Sequence, residues 1–536
     1  MKRKATNRKR ATKRPERIGI IVVHGVGEQR RFEHLESIAS NFYKALSKDA
    51  RRRPHVQLRY GDQTPRLAFS SSWRDAPALV RWRKPGGRWI EASFREVHWA
   101  DLDMPMTWGR WFKLIGWSLG VCGVRLYKKG RAGSPRQNKM CAPKLLNFFE
   151  RFQVRASVFV VSLFFLLTLV TVNVLRWLLN RVSISPAWLG RVHDLIYNYL
   201  GDVKLYQDWF ARSDDRVETI GEKSRVAIRR RMVRVLVQTA SEMEAGRMDG
   251  YYIFAHSLGT VVAFNGLMET NLALAAYLTE AEWNGLPSSL KKKTAKPPPR
   301  RPMPQRPSWL DQTRGRYDAI DRRRLFRGLR GVLTLGSPLN KFASLWPAIV
   351  PVNSEAVGSN VAWVNVADVQ DIVAGKIDKF PVCKPAPGIG GLELANISWA
   401  GAYSLVTAHT SYWSVDPEKA RLMDGIVPWL EGGQLPPLAN VMPLGLARLV
   451  FLFMLTVGAG ALMWALAGAV WLLANADRKL GMSLSADYIE TLASLGLRQD
   501  YLAALLPTSG YILVVGIGVV LTCSLVRRAW ENRKFA

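Results

Sequence analysis

The sequence predicts an α/β fold: a mostly parallel sheet with helices on both faces, accompanied by transmembrane or membrane-embedded helices. Two observations carry this expectation. Short β-rich runs alternate with helix-like stretches over the first 430 residues, and several are apolar throughout, as strands buried on both faces of a parallel sheet are. Three uncharged apolar runs, at 156–175, 449–474 and 501–526, are each long enough for a helix through a hydrocarbon core.

The elements follow in chain order. The first 17 residues carry nine Lys/Arg against the single acid Glu16, a basic disordered tail. It leads into 18–23, too short an apolar region for a signal peptide and without a cleavage site. Strands are expected at 18–24, 56–60, 251–255, 331–335 and 361–366. One helix is expected over 225–244, before the third strand, and another over 260–270, after it. The sheet-bearing domain spans 18–430. It is interrupted by a membrane-embedded insertion at about 111–180 and by a basic, Pro-rich insertion at about 287–330. Between Lys291 and Arg330 stand 14 Lys/Arg, three Asp and six prolines, a composition that reads as a flexible linker rather than packed structure. Residues 431–536 form a C-terminal transmembrane hairpin of 449–474 and 501–526, the second run broken only by Pro507.

Lys+Arg number 76 and Asp+Glu 42, a formal charge of +34. Such a charge raises nucleic-acid binding, but no zinc-finger, RRM or basic-zipper pattern accompanies it. Beside apolar spans, basic segments meet anionic lipid headgroups, and these are the expected partner of the tail and the insert. The four cysteines, Cys122, Cys141, Cys383 and Cys523, form no CxxC pair, which argues against a disulfide scaffold and a zinc site of the usual spacing.

The sharpest motif is Ala255-His256-Ser257-Leu258-Gly259, between an apolar strand and an apolar helix. Small residues flank a serine at such a place because the strand-to-helix turn of a nucleophile elbow is tight and strained. Here Ala255 stands where the usual pattern has glycine. Of the seven histidines only His409 follows Ser257, so it alone can serve as base in the order serine, acid, histidine. His24 and His256 lie in the motif turns and are read as shaping them. The acid should follow the strand at 361–366, where Asp368 and Asp371 both qualify; Asp371 is favoured and Asp368 is the alternative. An oxyanion hole needs two backbone N–H groups, expected from Leu258 and from Val26 in the Gly25-Val26-Gly27 loop. That loop lacks the third glycine and the lysine of a phosphate loop.

Together the stretches IIVVHGVGEQ (20–29), IFAHSLG (253–259), LTLGSPL (333–339), WVNVADVQDIV (363–373) and HTSYW (409–413) resemble the α/β-hydrolase superfamily, in particular its lipase and GPI-inositol-deacylase-like branches. The resemblance implies an α/β-hydrolase-type sheet and hydrolysis of carboxylic esters, often of lipids, without a cofactor. It also supports Asp371, because such lipases carry their acid in an Asp-x-Val segment after a strand. The expected function is therefore a membrane-anchored serine esterase or lipase with a Ser257–His409–Asp371 triad. The alternatives are a non-catalytic membrane scaffold that keeps the fold, and a basic nucleic-acid-binding membrane protein.

Topology follows from parity. The strands at 18–24 and 251–255 must share one sheet to bring Val26 beside Ser257, so the chain crosses the membrane an even number of times between them. The favoured solution embeds 156–175 with 111–127 as a hairpin or interfacial pair, because the uncharged centre of the latter, 114–124, is too short to span. The loop 476–500 carries three Lys/Arg against four acids and the tail 527–536 four against one, which places the tail and the catalytic domain on the cytoplasmic side.

Overall fold

The computed structural model describes residues 14–25, 31–58, 78–102, 203, 206, 224–295, 304, 306–310, 312–313, 315–345, 349–350, 357, 361–377, 392–401, 408–413 and 422–453. The chain divides into two compact units. The first comprises Met1–Leu102, Asp208–Leu339 and Pro351–Met442, the second Asp103–Gln207, Asn340–Val350 and Pro443–Ala536.

The first unit is built on an eight-stranded sheet. Its strands are β1 (Glu16–Val23), β2 (His55–Leu58), β3 (Ala78–Arg83), β4 (Trp89–Val97), β5 (Gly250–His256), β9 (Leu329–Leu335), β10 (Val361–Asp368) and β11 (Leu392–Trp399). Their order is β11-β10-β9-β5-β1-β4-β3-β2. The six from β11 to β4 run parallel, and β3 and β2 close the edge antiparallel. A separate antiparallel sheet holds β6 (Lys291–Thr294), β8 (Arg316–Ile320) and β7 (Gln312–Thr313), in that order.

Among the described residues lying wholly within this unit, seven α-helices accompany these strands: α1 (Glu33–Ser47), α2 (Ser224–Glu244), α3 (Leu258–Met268), α4 (Asn271–Ala276), α5 (Glu280–Asn284), α6 (Arg322–Leu325) and α7 (Leu422–Leu430). Alternation along the central strands sorts side chains to two faces. Ile18, Ile20, Val22, Tyr252 and Phe254 join Leu35, Ile38 and Phe42 of α1 and Met423, Ile426 and Trp429 of α7 in one buried core. Ile21, Val23 and Ile253 are equally buried and point the other way, where α2 and α3 pack. The chain thus leaves β1 and β5, which are hydrogen-bonded neighbours, toward opposite faces. Sheets of this kind bind ligands at the carboxyl ends of strands where the chain diverges in this way.

All five expected strands are present and both expected helices lie within two residues of their anticipated ends. Three points differ. First, β2 is a partly exposed antiparallel edge strand, not a strand buried in the parallel sheet. Second, β3, β4 and β11 were not anticipated; β4 and β11 carry charged or amide residues that break the apolar pattern. Third, the basic insertion is not simply a flexible linker: β6 pairs with β8, Ala319 and Ile320 are fully buried, and Arg322 reaches the carbonyls of Leu267 and Glu269. Part of the positive charge is likewise internal. Buried Arg229 and Arg234 on α2 pair with Glu269 and Glu282, and Arg230 donates to the Tyr277 carbonyl.

The second unit is described only at Val203, Tyr206, 340–345, 349–350 and 443–453. A helix over 444–453 exposes Leu446, Leu449 and Phe453. The apolar runs at 156–175 and 501–526, the stretch 111–127 and most of 449–474 lie outside the described residues, as does the tail up to residue 13. Among the described residues no helix is long and apolar enough to cross a membrane.

Candidate active site

Ser257 sits between β5 and α3 with φ 52° and ψ −131°, a left-handed backbone that costs a non-glycine residue strain. The sheet and helix hold it there. Its N–H donates to the Leu335 carbonyl at 2.9 Å, and its carbonyl accepts the Thr260 hydroxyl at 2.7 Å. Since Thr260 has given its proton to that carbonyl, the 2.8 Å contact between Thr260 and Ser337 is a donation from Ser337. Close packing explains two glycines. A Cβ at Gly259 would fall 2.3 Å from the His24 carbonyl oxygen, and one at Gly25 would fall 2.6 Å from Ser257 Cβ. Thus β1 delivers the Gly25 backbone directly against the serine.

The three expected triad members meet. His409 Nε2 lies 2.8 Å from Ser257 Oγ, and His409 Nδ1 lies 2.8 Å from Asp371 Oδ2. With the carboxylate accepting at Nδ1–H, the bare Nε2 faces the serine hydroxyl, the tautomer a general base requires. Asp371 is fully wired. Oδ1 accepts the N–H groups of Val373 (2.8 Å) and Ala374 (3.2 Å), and Oδ2 accepts Tyr412 Oη–H (2.9 Å) besides the imidazole. Burial alone would push this carboxyl up. The His409 charge, helped by these hydrogen bonds, outweighs it and holds the group at about 2.

Asp368 does different work. Its Oδ1 accepts the Gln370 N–H at 2.9 Å and its Oδ2 the Gly401 N–H at 2.7 Å, so it caps its own turn and ties down the segment after β11. Gly336, at φ 60° just after β9, leaves room for the cluster, since a Cβ there would come within 3.0 to 3.1 Å of Asp371, Tyr412 and His409. His256 Nε2 donates to the His409 carbonyl at 2.7 Å, fixing the backbone that carries this imidazole. Burial, reinforced by His409 and His34, holds this imidazole neutral.

Leu258 begins α3, where the helical ladder leaves its N–H without an acceptor, beside the serine. Val26 lies outside the described residues. The entry to its loop is nevertheless fixed: buried His24 donates from Nδ1 to the Gly25 carbonyl and accepts the Trp99 N–H at Nε2. Burial, and then His98, push the His24 imidazole down to about 3, so it stays neutral. The exit is held by Glu96, whose Oε2 accepts the N–H of Phe32, a residue at φ 69°. Sequence reasoning missed Tyr412, Gly336 and Ser337, although each lies within one of the stretches that signalled the site. Among the described residues no three His, Cys, Asp or Glu side chains cluster as metal ligands.

Glu96 yields a pH prediction. Burial pushes its carboxyl from the ordinary 4.5 up to about 7, against the opposing pull of the Phe32 N–H and Arg31. Between those values the folded chain holds a proton that the unfolded chain has released, so stability falls as pH rises across the interval. Buried neutral His24 and His256 act with the opposite sign, so the effect is read as a difference: in thermal melts from pH 4.5 to 8 the wild type should lose stability relative to Glu96→Gln as pH rises. Equal slopes would refute the assignment.

No protein-family model, no curated protein and no solved structure matches this chain.

Proposed function

We propose that the chain is a membrane-anchored serine hydrolase of esterase or lipase type, belonging to the α/β-hydrolase superfamily and cleaving an acyl ester. The observation that supports it most is the continuous line Ser257 Oγ–His409 Nε2, His409 Nδ1–Asp371 Oδ2 at a strained turn between strand and helix. In this reading His409 takes the Ser257 proton as Oγ attacks the acyl carbonyl carbon. The tetrahedral oxyanion is met by the Leu258 N–H and, as second donor, by Val26. Collapse expels the alcohol, which His409 protonates, and water repeats the sequence on the acyl-enzyme. Ser257 has no exposed surface, so the acyl group reaches it only when covering atoms move aside.

The membrane part of the proposal rests on the apolar runs, on exposed Leu449 and Phe453 at the start of one of them, and on exposed cations of the folded insert, Lys292, Arg316, Arg323 and Arg324. Each exposed Lys or Arg near an anionic surface adds about 1 kcal/mol of attraction. The direct pairing of β1 with β5 requires both strands on one side of the membrane. Cysteines placed at positions 30, 140, 200 and 532 should be reached only from the cytoplasmic side, and one at position 488 only from outside. Opposite sides for 30 and 200 would contradict the proposal.

The decisive experiment treats the full chain with a fluorophosphonate, maps the modified peptide, and compares hydrolysis of esters of increasing acyl length, soluble and in vesicles. Modification at Ser257 and preference for long, bilayer-presented esters are expected. Absence of Ser257 labelling would overturn the hydrolase, and a maximum on short soluble esters would overturn the lipid substrate.

A further inference from the structure

We propose that Tyr412 is a positioning residue of this site, one that shares the Asp371 carboxylate with His409 and thereby sets how strongly that carboxylate acts on the imidazole. The inference rests on the serine-hydrolase reading and deepens it. The hydrogen-bond directions at Tyr412 are fully determined. Its oxygen lies 2.9 Å from the Asp368 backbone nitrogen, which can only donate, and 2.9 Å from Asp371 Oδ2, which as a carboxylate can only accept. The single phenolic proton therefore goes to Asp371. It goes to the same oxygen, Oδ2, that accepts His409 Nδ1–H.

This arrangement has two physical consequences. The first is geometric. The ring is fully buried, its hydroxyl is pinned to the end of β10 through Asp368, and it therefore fixes Oδ2 relative to the sheet. With Val373 and Ala374 holding Oδ1, the carboxylate has no freedom to rotate away from the imidazole. The second is electrostatic. A phenol donating to Oδ2 draws off part of the negative charge that would otherwise face the imidazolium formed during the reaction. The groups that face Asp371 are His409 and Tyr412 from the segment after β11, His256 from β5, and the uncharged Gly336 from the end of β9. Among these described groups Tyr412 supplies the side-chain donor besides the base itself. Tyr412 lies only three residues after His409, so base and restraint arrive on one short segment.

The test is the rate of fluorophosphonate labelling of the full chain, measured from pH 4 to 9 for wild type and Tyr412→Phe, with end-point labelling to count competent sites. Removing the hydroxyl keeps the ring and the packing. Labelling of Tyr412→Phe should slow by about tenfold, the usual effect of losing one hydrogen bond to a charged group. The acid limb of its profile should move to higher pH, because a carboxylate relieved of one donor holds the imidazole proton more firmly. A merely structural role would lower the end-point at every pH and leave the limb where it was. That result, or an unchanged rate and profile, would overturn the inference. Should Tyr412→Phe give too few competent sites to measure, Tyr412→His, which keeps a donor, serves as the second variant: a profile closer to wild type than that of Tyr412→Ala supports the role, and identical profiles overturn it. Failure of the wild type itself to label at Ser257 would strike the hydrolase reading, a distinct outcome.

Discussion

Ser257→Ala is expected to abolish fluorophosphonate labelling and to slow ester hydrolysis by about five orders of magnitude or more, while the chain remains folded. Folding should survive because the contributions of Ser257 to the turn are made by its backbone. The N–H bond to Leu335, the carbonyl bond to Thr260 and the left-handed φ do not involve Oγ. Alanine also occupies the tight space beside Gly25 with the same Cβ. What is lost is the one atom 2.8 Å from the base. His409→Ala should cost a comparable factor, and the double variant hardly more, since members of a triad act as a unit. The measurement is labelling together with turnover, beside a melting curve to confirm the fold. A Ser257→Ala chain that labels like wild type would remove Ser257 from the mechanism.

How much of this was legible in the sequence depends on where polar residues sit. Strand β5 and helix α3 were readable because 251–255 and 260–268 are almost wholly apolar around one short polar turn. His409, the base of the proposed triad, was readable by elimination. By contrast β4 carries Glu91, Arg95 and Glu96 in its run, and only the fold shows that buried Arg95 pairs with Glu242 of α2 at 2.5 Å. Strand β11 contains Asn396, which bonds Asn365 of the neighbouring β10 and the backbone of Ile377, so a polar ladder replaces the apolar pattern there. The basic insert looked unpacked because its cations dominate its composition. Yet Arg322 is buried against helix-end carbonyls, and Lys293 lies 3.6 Å from Asp318 across the strand pair. Tyr412 was visible as a letter in a motif but not as a partner of Asp371, because a hydrogen bond between residues 41 apart leaves no periodic signal.

The choice between the two carboxylates should be decided by Asp371→Asn and Asp368→Asn, and the structure dictates opposite outcomes. In Asp371→Asn the backbone N–H groups of Val373 and Ala374 still demand an acceptor, so the amide oxygen takes the place of Oδ1. The NH2 group must then face His409 and Tyr412, where two donors already point. His409 can relieve the conflict only by giving up its Nδ1 proton and carrying it on Nε2, the nitrogen that has to be bare to accept from Ser257. Turnover should fall by about four orders of magnitude, as expected when a triad imidazole is held in the wrong tautomer. In Asp368→Asn the damage is local. The amide satisfies one of the Gln370 and Gly401 N–H groups and fails the other, at a cost of about 1 to 3 kcal/mol in stability. The imidazole keeps its partner, so turnover per folded molecule should change by less than about tenfold, roughly the weight of one hydrogen bond. Turnover normalised to folded protein, with melting temperatures for both variants, separates the two. If folded Asp371→Asn keeps turnover within about tenfold of wild type while Asp368→Asn loses it, then Asp371 is not the carboxylate that orients His409, and the 2.8 Å contact is a structural bond only.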